Sequence, residues 1–132
     1  MSTTDIVLAA FQRLQTFTYT PQPDIIWPGH QGTPPASGMW LEPGFFPNET
    51  NDITWNDDGC VNATGFFQVL VHFRPGVGQA QPVAMADAII RHFPKGLPLG
   101  PVRVHKRGWQ ALSVEDDDDV FIPITIPFRG LT

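Results

Sequence analysis

The sequence predicts an α+β fold, a mainly antiparallel sheet with two helices packed on one face. Three observations point there. Apolar residues recur at helical spacing in two stretches, 4–17 and 78–96. Phe67, Val69, Val71 and Phe73 alternate with Gln68, Leu70, His72 and Arg74, which is the period of a strand. The order along the chain is helix, strands, helix, strands, and 132 residues suit one domain over 1–132.

Each element follows from its residues. Before the first helix, over 4–17, Ser2 to Thr4 offer capping hydroxyls and Asp5 suits a first turn. Ile6, Ala10, Leu14 and Phe17 form its apolar stripe, with Val7 and Phe11 alongside. "DIIWP" is a short strand stopped by Pro28 and Gly29, and "GHQGTPPASG" is a loop rich in chain breakers. "MWLEPGFFP" is extended, and the proline within it, Pro43, suits an edge strand or a bulge. "NETNDITWNDDG" is polar and turn-prone, so 37–59 reads as an extended loop or arm. "CVNATGFFQVLVHFRPG" holds the strongest strand signal. Phe66 and Leu70 are apolar too, which suits a central strand covered at least partly on both faces. Pro82 opens the second helix, Val83, Ala86, Ile89, Ile90 and Phe93 make its stripe, and Pro94 and Gly96 end it. "PVRVHK", "WQALSV" and "VFIPITIPF" are three further strands.

Composition excludes several classes of function. With 14 Pro and 12 Gly the chain has many turns, while 11% aromatic residues supply a core. A net charge of −5 argues against broad nucleic-acid binding through a basic surface. Cys60 is the one cysteine, so an intramolecular disulfide and a cysteine zinc site are excluded. The first residues lack the basic start of a signal peptide, and no run reaches membrane-spanning length. The expectation is a soluble protein made in a cytoplasm, with no membrane contact.

Chemistry-bearing residues are scattered. His30, His72, His92 and His105 show no second ligand at zinc spacing, so no metal is expected. Cys60 has no base beside it and reads as a structural thiol. "GVGQAQ" lacks the lysine and spacing of a phosphate loop, and "NDDG" lacks the alternating acids of a calcium loop. No catalytic residue and no cofactor is expected. Asp116, Asp117, Asp118 and Asp119 stand apart. Adjacent residues of an extended chain point to opposite sides, so four in a row cannot converge on a metal. A solvated turn between two strands is the plain account. An acidic rim that repels polyanions is the functional one, and a turn can serve both.

The chain resembles the small tail terminator proteins of long-tailed bacteriophages with non-contractile tails. The resemblance rests on "DIIWP" after the first helix, on "MWLEPGFFP", and on "TGFFQVLVHFRPGVGQAQPVAMADAIIRHFPKG", a strand running through a Pro-Gly turn into a helix closed by "FPKG". "VRVHK" and the closing "FIPITIPFRG" complete it, so it covers nearly the whole chain. It implies a structural virion protein with no catalytic motif. Such proteins form a ring of six on the finished tail tube, stop further addition of tube subunits and present a face to the head. The implied partners are further copies of the chain, the tube protein and head–tail connector proteins, with DNA passing through without sequence-specific binding. The implied place is the head-proximal end of the tail. A neighbouring connector, such as a stopper or head-completion protein, is the nearest rival; a small enzyme or a monomeric binding module has less support.

Size is consistent with a ring. A domain of this length is about 36 Å across, so six leave a hole of about 35 Å, wide enough for a duplex, and five also leave room. Closed rings need a heterologous interface. Trp40, Phe45 and Phe46, and Ile53 and Trp55, are the expected interface aromatics and aliphatics, with core burial as the competing account of each. Asp116–Asp119 are expected at the lumen or a ring face. There copies would repel one another, so closure should strengthen with salt.

Overall fold

The computed structural model describes residues 3–19, 23–27, 39–47, 51–52, 61–74, 78, 80–100, 102–111, 113–116 and 119–131. Helix α1 spans Thr3–Gln15 and α2 spans Ala80–His92. The strands are β1 (Asp24–Ile25), β2 (Met39–Pro47), β3 (Asn51–Asp52), β4 (Val61–Phe73), β5 (Pro98–Leu99), β6 (Val102–Val104), β7 (Trp109–Gln110), β8 (Val114–Asp116) and β9 (Asp119–Leu131). They join in one sheet of order β1-β2-β4-β9-β6-β5, with β3 on β4 and β7 and β8 on β9. β1 and β2 are parallel, and every other pair is antiparallel. The α+β class and the mainly antiparallel sheet expected from the sequence are both present.

The core lies on one face. The α1 stripe Ile6, Ala10, Leu14 and Phe17 is buried as its spacing requires. It meets Leu41 of β2, Phe67, Val69 and Val71 of β4, and Ile122, Ile124 and Ile126 of β9. The Phe67 ring lies 5.7 Å from Phe11 and 5.4 Å from Phe93, so both helices bear on the same side of the sheet. The stripe of α2 differs in one residue from the expectation. Met85 is buried and Val83 is exposed, because Met85, Ala86, Ile89 and Phe93 centre the stripe and Val83 falls on its flank.

Prolines in strands are placed where no donor is needed. The Ile26 N–H donates to the Leu41 carbonyl at 2.8 Å, so Leu41 turns its backbone toward β1. Pro43, two residues on, turns the same way, past the end of β1, and β2 is an edge there. In β9 the Pro127 carbonyl accepts from His105 N–H at 2.8 Å and the Pro123 carbonyl from Ala111 N–H at 2.9 Å. Both prolines therefore face the β6–β8 side. That side is broken: four residues lie between Val104 and Trp109 against two between Phe128 and Thr125. The missing N–H groups fall at these bulges, and the β4–β9 ladder stays continuous from Asn62↔Leu131 to Phe73↔Val120.

Candidate functional site

The opposite face of the sheet is the candidate site. Side chains alternate along a strand, so burial of Phe67 and Val69 sends Phe66, Gln68, Leu70 and His72 the other way. The register sets Trp40, His72 and Phe121 in one row across β2, β4 and β9. Trp40 stacks on His72 at 5.1 Å and 7°, and Phe121 meets His72 at 5.2 Å. The Arg74 guanidinium lies 4.8 Å above the Trp40 ring, and Glu42 Oε2 is 2.8 Å from His72 Nε2. The row ties three strands together through flat rings with polar rims.

Further along the same face, Phe46 stacks on Phe66 at 5.0 Å and is 45% exposed. Phe45 points to the core side and stacks on Phe128 at 5.4 Å and 4°. Gly65 is the partner of Phe128 in the ladder, and its missing side chain leaves room for the two rings to meet.

A groove of about 740 Å³ opens beside Phe66. Phe66, Pro127 and Trp109 make its apolar wall, and His105, Lys106 and Arg129 make a basic rim. Trp109 is 45% exposed, with Lys106 Nζ 5.2 Å above its ring. Gly108 makes the groove possible: a Cβ there would lie 2.8 Å from the Thr125 carbonyl oxygen, so only glycine lets the chain come this close to β9.

The residues singled out in the sequence divide as follows. Trp40 is 2% exposed, so its ring is largely spent on contacts within the chain. Phe45 is half-buried and Phe46 exposed. Ile53 and Trp55 lie outside the described residues, as do Asp117, Asp118, His30 and Cys60. Asp116 pairs directly with Asp119 where β8 meets β9, the hairpin expected for this run. Among the described residues no three His, Cys, Asp or Glu side chains gather as a metal site, and no helix is long and apolar enough to cross a membrane. Sequence reasoning missed the groove. Its signal was the basic run His105, Lys106, Arg107 beside Trp109 in an acidic chain, and what was hidden was its pairing with the end of β9.

His92 joins the two helix ends on the other face. The Arg13 Nε–H donates to the His92 carbonyl at 2.9 Å, and His92 Nε2–H donates to the Arg13 carbonyl at 2.8 Å. Burial holds the His92 pKa below its ordinary value; the hydrogen bond to the Arg13 backbone opposes this, and the Arg13 charge adds to it.

A family model described as phage tail terminator protein matches residues 5–128. A solved structure is similar over 100% of this chain and 96% of its own, at 27% identity and a TM-score of 0.78. No curated protein matches.

Proposed function

Because the chain belongs to the phage tail terminator protein family, we propose that copies of it close into a ring of six on the tail tube and end its growth. The family is one of structural proteins, so the chain is a component of the phage tail and not an enzyme. A cap must match the growing end of the tube on one side and deny it to the next subunit on the other. A ring does this by geometry alone, and its second side then serves as the face for head attachment. DNA passes through the middle without being read. The partners in this reading are the tube protein on one side and a connector protein on the other, at the head-proximal end of the virion.

The family match over nearly the whole chain carries this reading. The open sheet face supports it, because Phe46 and Trp109 are large aromatic side chains exposed on a surface that neither α1 nor α2 covers. Phe46 with Phe45, and Ile53 with Trp55, are the interface residues in this reading, and Trp40 backs the surface from beneath. Tails assembled without this chain and viewed by electron microscopy should be overlong. Tails of ordinary length would overturn the proposal.

A further inference from the structure

Half of the chain's eight lysines and arginines lie on β6, the bulge after it and the end of β9, although the net charge is −5: Arg103, Lys106, Arg107 and Arg129. Burial of Val102, Val104 and Phe128 sends Arg103 and Arg129 to the open face, where they stand directly opposite in the ladder and exposed. Like charges in that position cost stability unless an anion lies against them. Arg103 donates to the Gly96 carbonyl at 3.0 Å, and its other guanidinium N–H groups can serve a second acceptor. Among the described residues no carboxylate pairs with any of the four cations.

These cations border an apolar wall. Pro127, two residues before Arg129, pairs with Phe66 on the same face, and Phe46 stacks on Phe66. Trp109 closes the other side, with Lys106 over its ring. The wall belongs to the ladder itself, because Gly108 packs against the Thr125 carbonyl and holds the Trp109 backbone to β9. The space of about 740 Å³ suits one large side chain with backbone on either side of it. A bare inorganic anion would meet the arginines and leave the wall in water. Duplex DNA carries its phosphates outermost and its apolar rings stacked inside, so it too would leave the wall unused, and the net charge repels a long polyanion. A peptide with carboxylates on both sides of one aromatic or large aliphatic residue uses wall and rim together.

We infer that the groove docks an extended acidic segment of another tail protein, with one apolar anchor against Phe66, Pro127 and Trp109 and flanking carboxylates on Arg103, Lys106 and Arg129. That the partner is a tail protein rests on the reading above; the chemistry of the segment rests on the groove alone. The rim charges supply the rate of encounter and the choice of partner, and the buried anchor supplies most of the hold. Binding therefore depends on salt through the rim and on side-chain size through the wall.

The test uses the full chain and a fluorescent synthetic peptide of aspartates and glutamates around one central phenylalanine. Sedimentation should show the peptide binding the parent saturably, and binding should weaken as salt rises from about 0.05 to about 0.5 M. Alanine in place of the phenylalanine should weaken it about tenfold or more, as should Trp109→Ala, while Trp109→Phe keeps most of it. Lys106→Glu with Arg129→Glu should abolish binding with unchanged circular dichroism. That variant should instead take up the peptide remade with lysines around the phenylalanine, which a merely structural role of the two residues would not allow. Should the double reversal misfold, Lys106→Gln with Arg129→Gln should still weaken binding and flatten its salt dependence. The inference is overturned if the acidic peptide does not saturate, if its phenylalanine is immaterial, or if the reversal leaves binding unchanged. It is also overturned if single-stranded oligothymidylate binds the groove more tightly than the peptide, which assigns the site to nucleic acid. Self-association that the groove substitutions abolish and the peptide fails to compete with assigns it to a second copy, with the same result. Peptide binding is read on the isolated chain, so its failure removes this docking site and leaves the terminator reading to the measurement of tail length.

Discussion

The two faces of the sheet share the same strands and do different work. Phe67, Val69 and Val71 of β4 are fully buried under α1 and α2. Phe66, Gln68 and Leu70, one residue away from each, are only half-buried, on a face that carries a basic groove. The strand period of two is what separates them. The ring proposed above needs one face closed enough to fold alone and another that still offers apolar surface to a partner. Here one 13-residue strand supplies both.

That comparison breaks most visibly at two neighbouring phenylalanines. Phe67→Ala removes a fully buried ring between Phe11 and Phe93 and should cost about 3–5 kcal/mol in urea denaturation. Phe66→Ala removes a half-exposed ring stacked on Phe46 and should cost about 1 kcal/mol or less, while association weakens. Equal losses of stability from the two would mean that the faces do not divide folding from assembly.

Gly108→Ala sharpens the comparison at an intermediate cost. The new Cβ would sit 2.8 Å from the Thr125 oxygen and 3.0 Å from Ile126 Cγ1, so β7 must move off β9. The expected loss is about 1–3 kcal/mol. Hydrogen exchange should quicken at the Trp109 and Ala111 amides and stay unchanged in α1. Loosening spread evenly over both faces would contradict the local account.

Much of the helix-covered face was legible from the sequence, because its signals are local. The stripe Ile6, Ala10, Leu14, Phe17 and the alternation from Phe67 to Phe73 each lie within one element. The open edge at Pro43, where β2 runs past the end of β1, was legible from the proline, which suits an edge or a bulge. The open face was not legible, because it is made by register. Nothing in "VRVHKRGW" states that Val104 will pair with Phe128 and Trp109 with Thr125, or that the residues between them will bulge. The prolines of β9 fit a central strand because their missing donors fall on that broken side. Trp40 shows the converse. Its sequence left interface contact and core burial both open, and within the chain it is buried against His72, a partner 32 residues away that only the β2–β4 pairing supplies.

Two histidines on opposite faces provide the smallest and most selective prediction. His72 lies in the aromatic row of the open face, and His92 ties together the C-terminal ends of α1 and α2. Burial keeps the folded His92 pKa below 6.5, while the unfolded chain regains the ordinary value. Above 6.5 both states are neutral at this residue and its contribution to stability is complete. As pH falls through 6.5, the unfolded chain takes up a proton that the folded chain does not, so stability declines until the folded pKa is passed. Denaturation midpoints measured between pH 7.5 and 5 should therefore fall with pH. The slope should lessen in His92→Gln, whose amide can still donate to the Arg13 carbonyl without titrating. Association through the groove is read separately by sedimentation. A variant that keeps the parent slope places the acid sensitivity elsewhere and removes His92 as the titrating link between the helices.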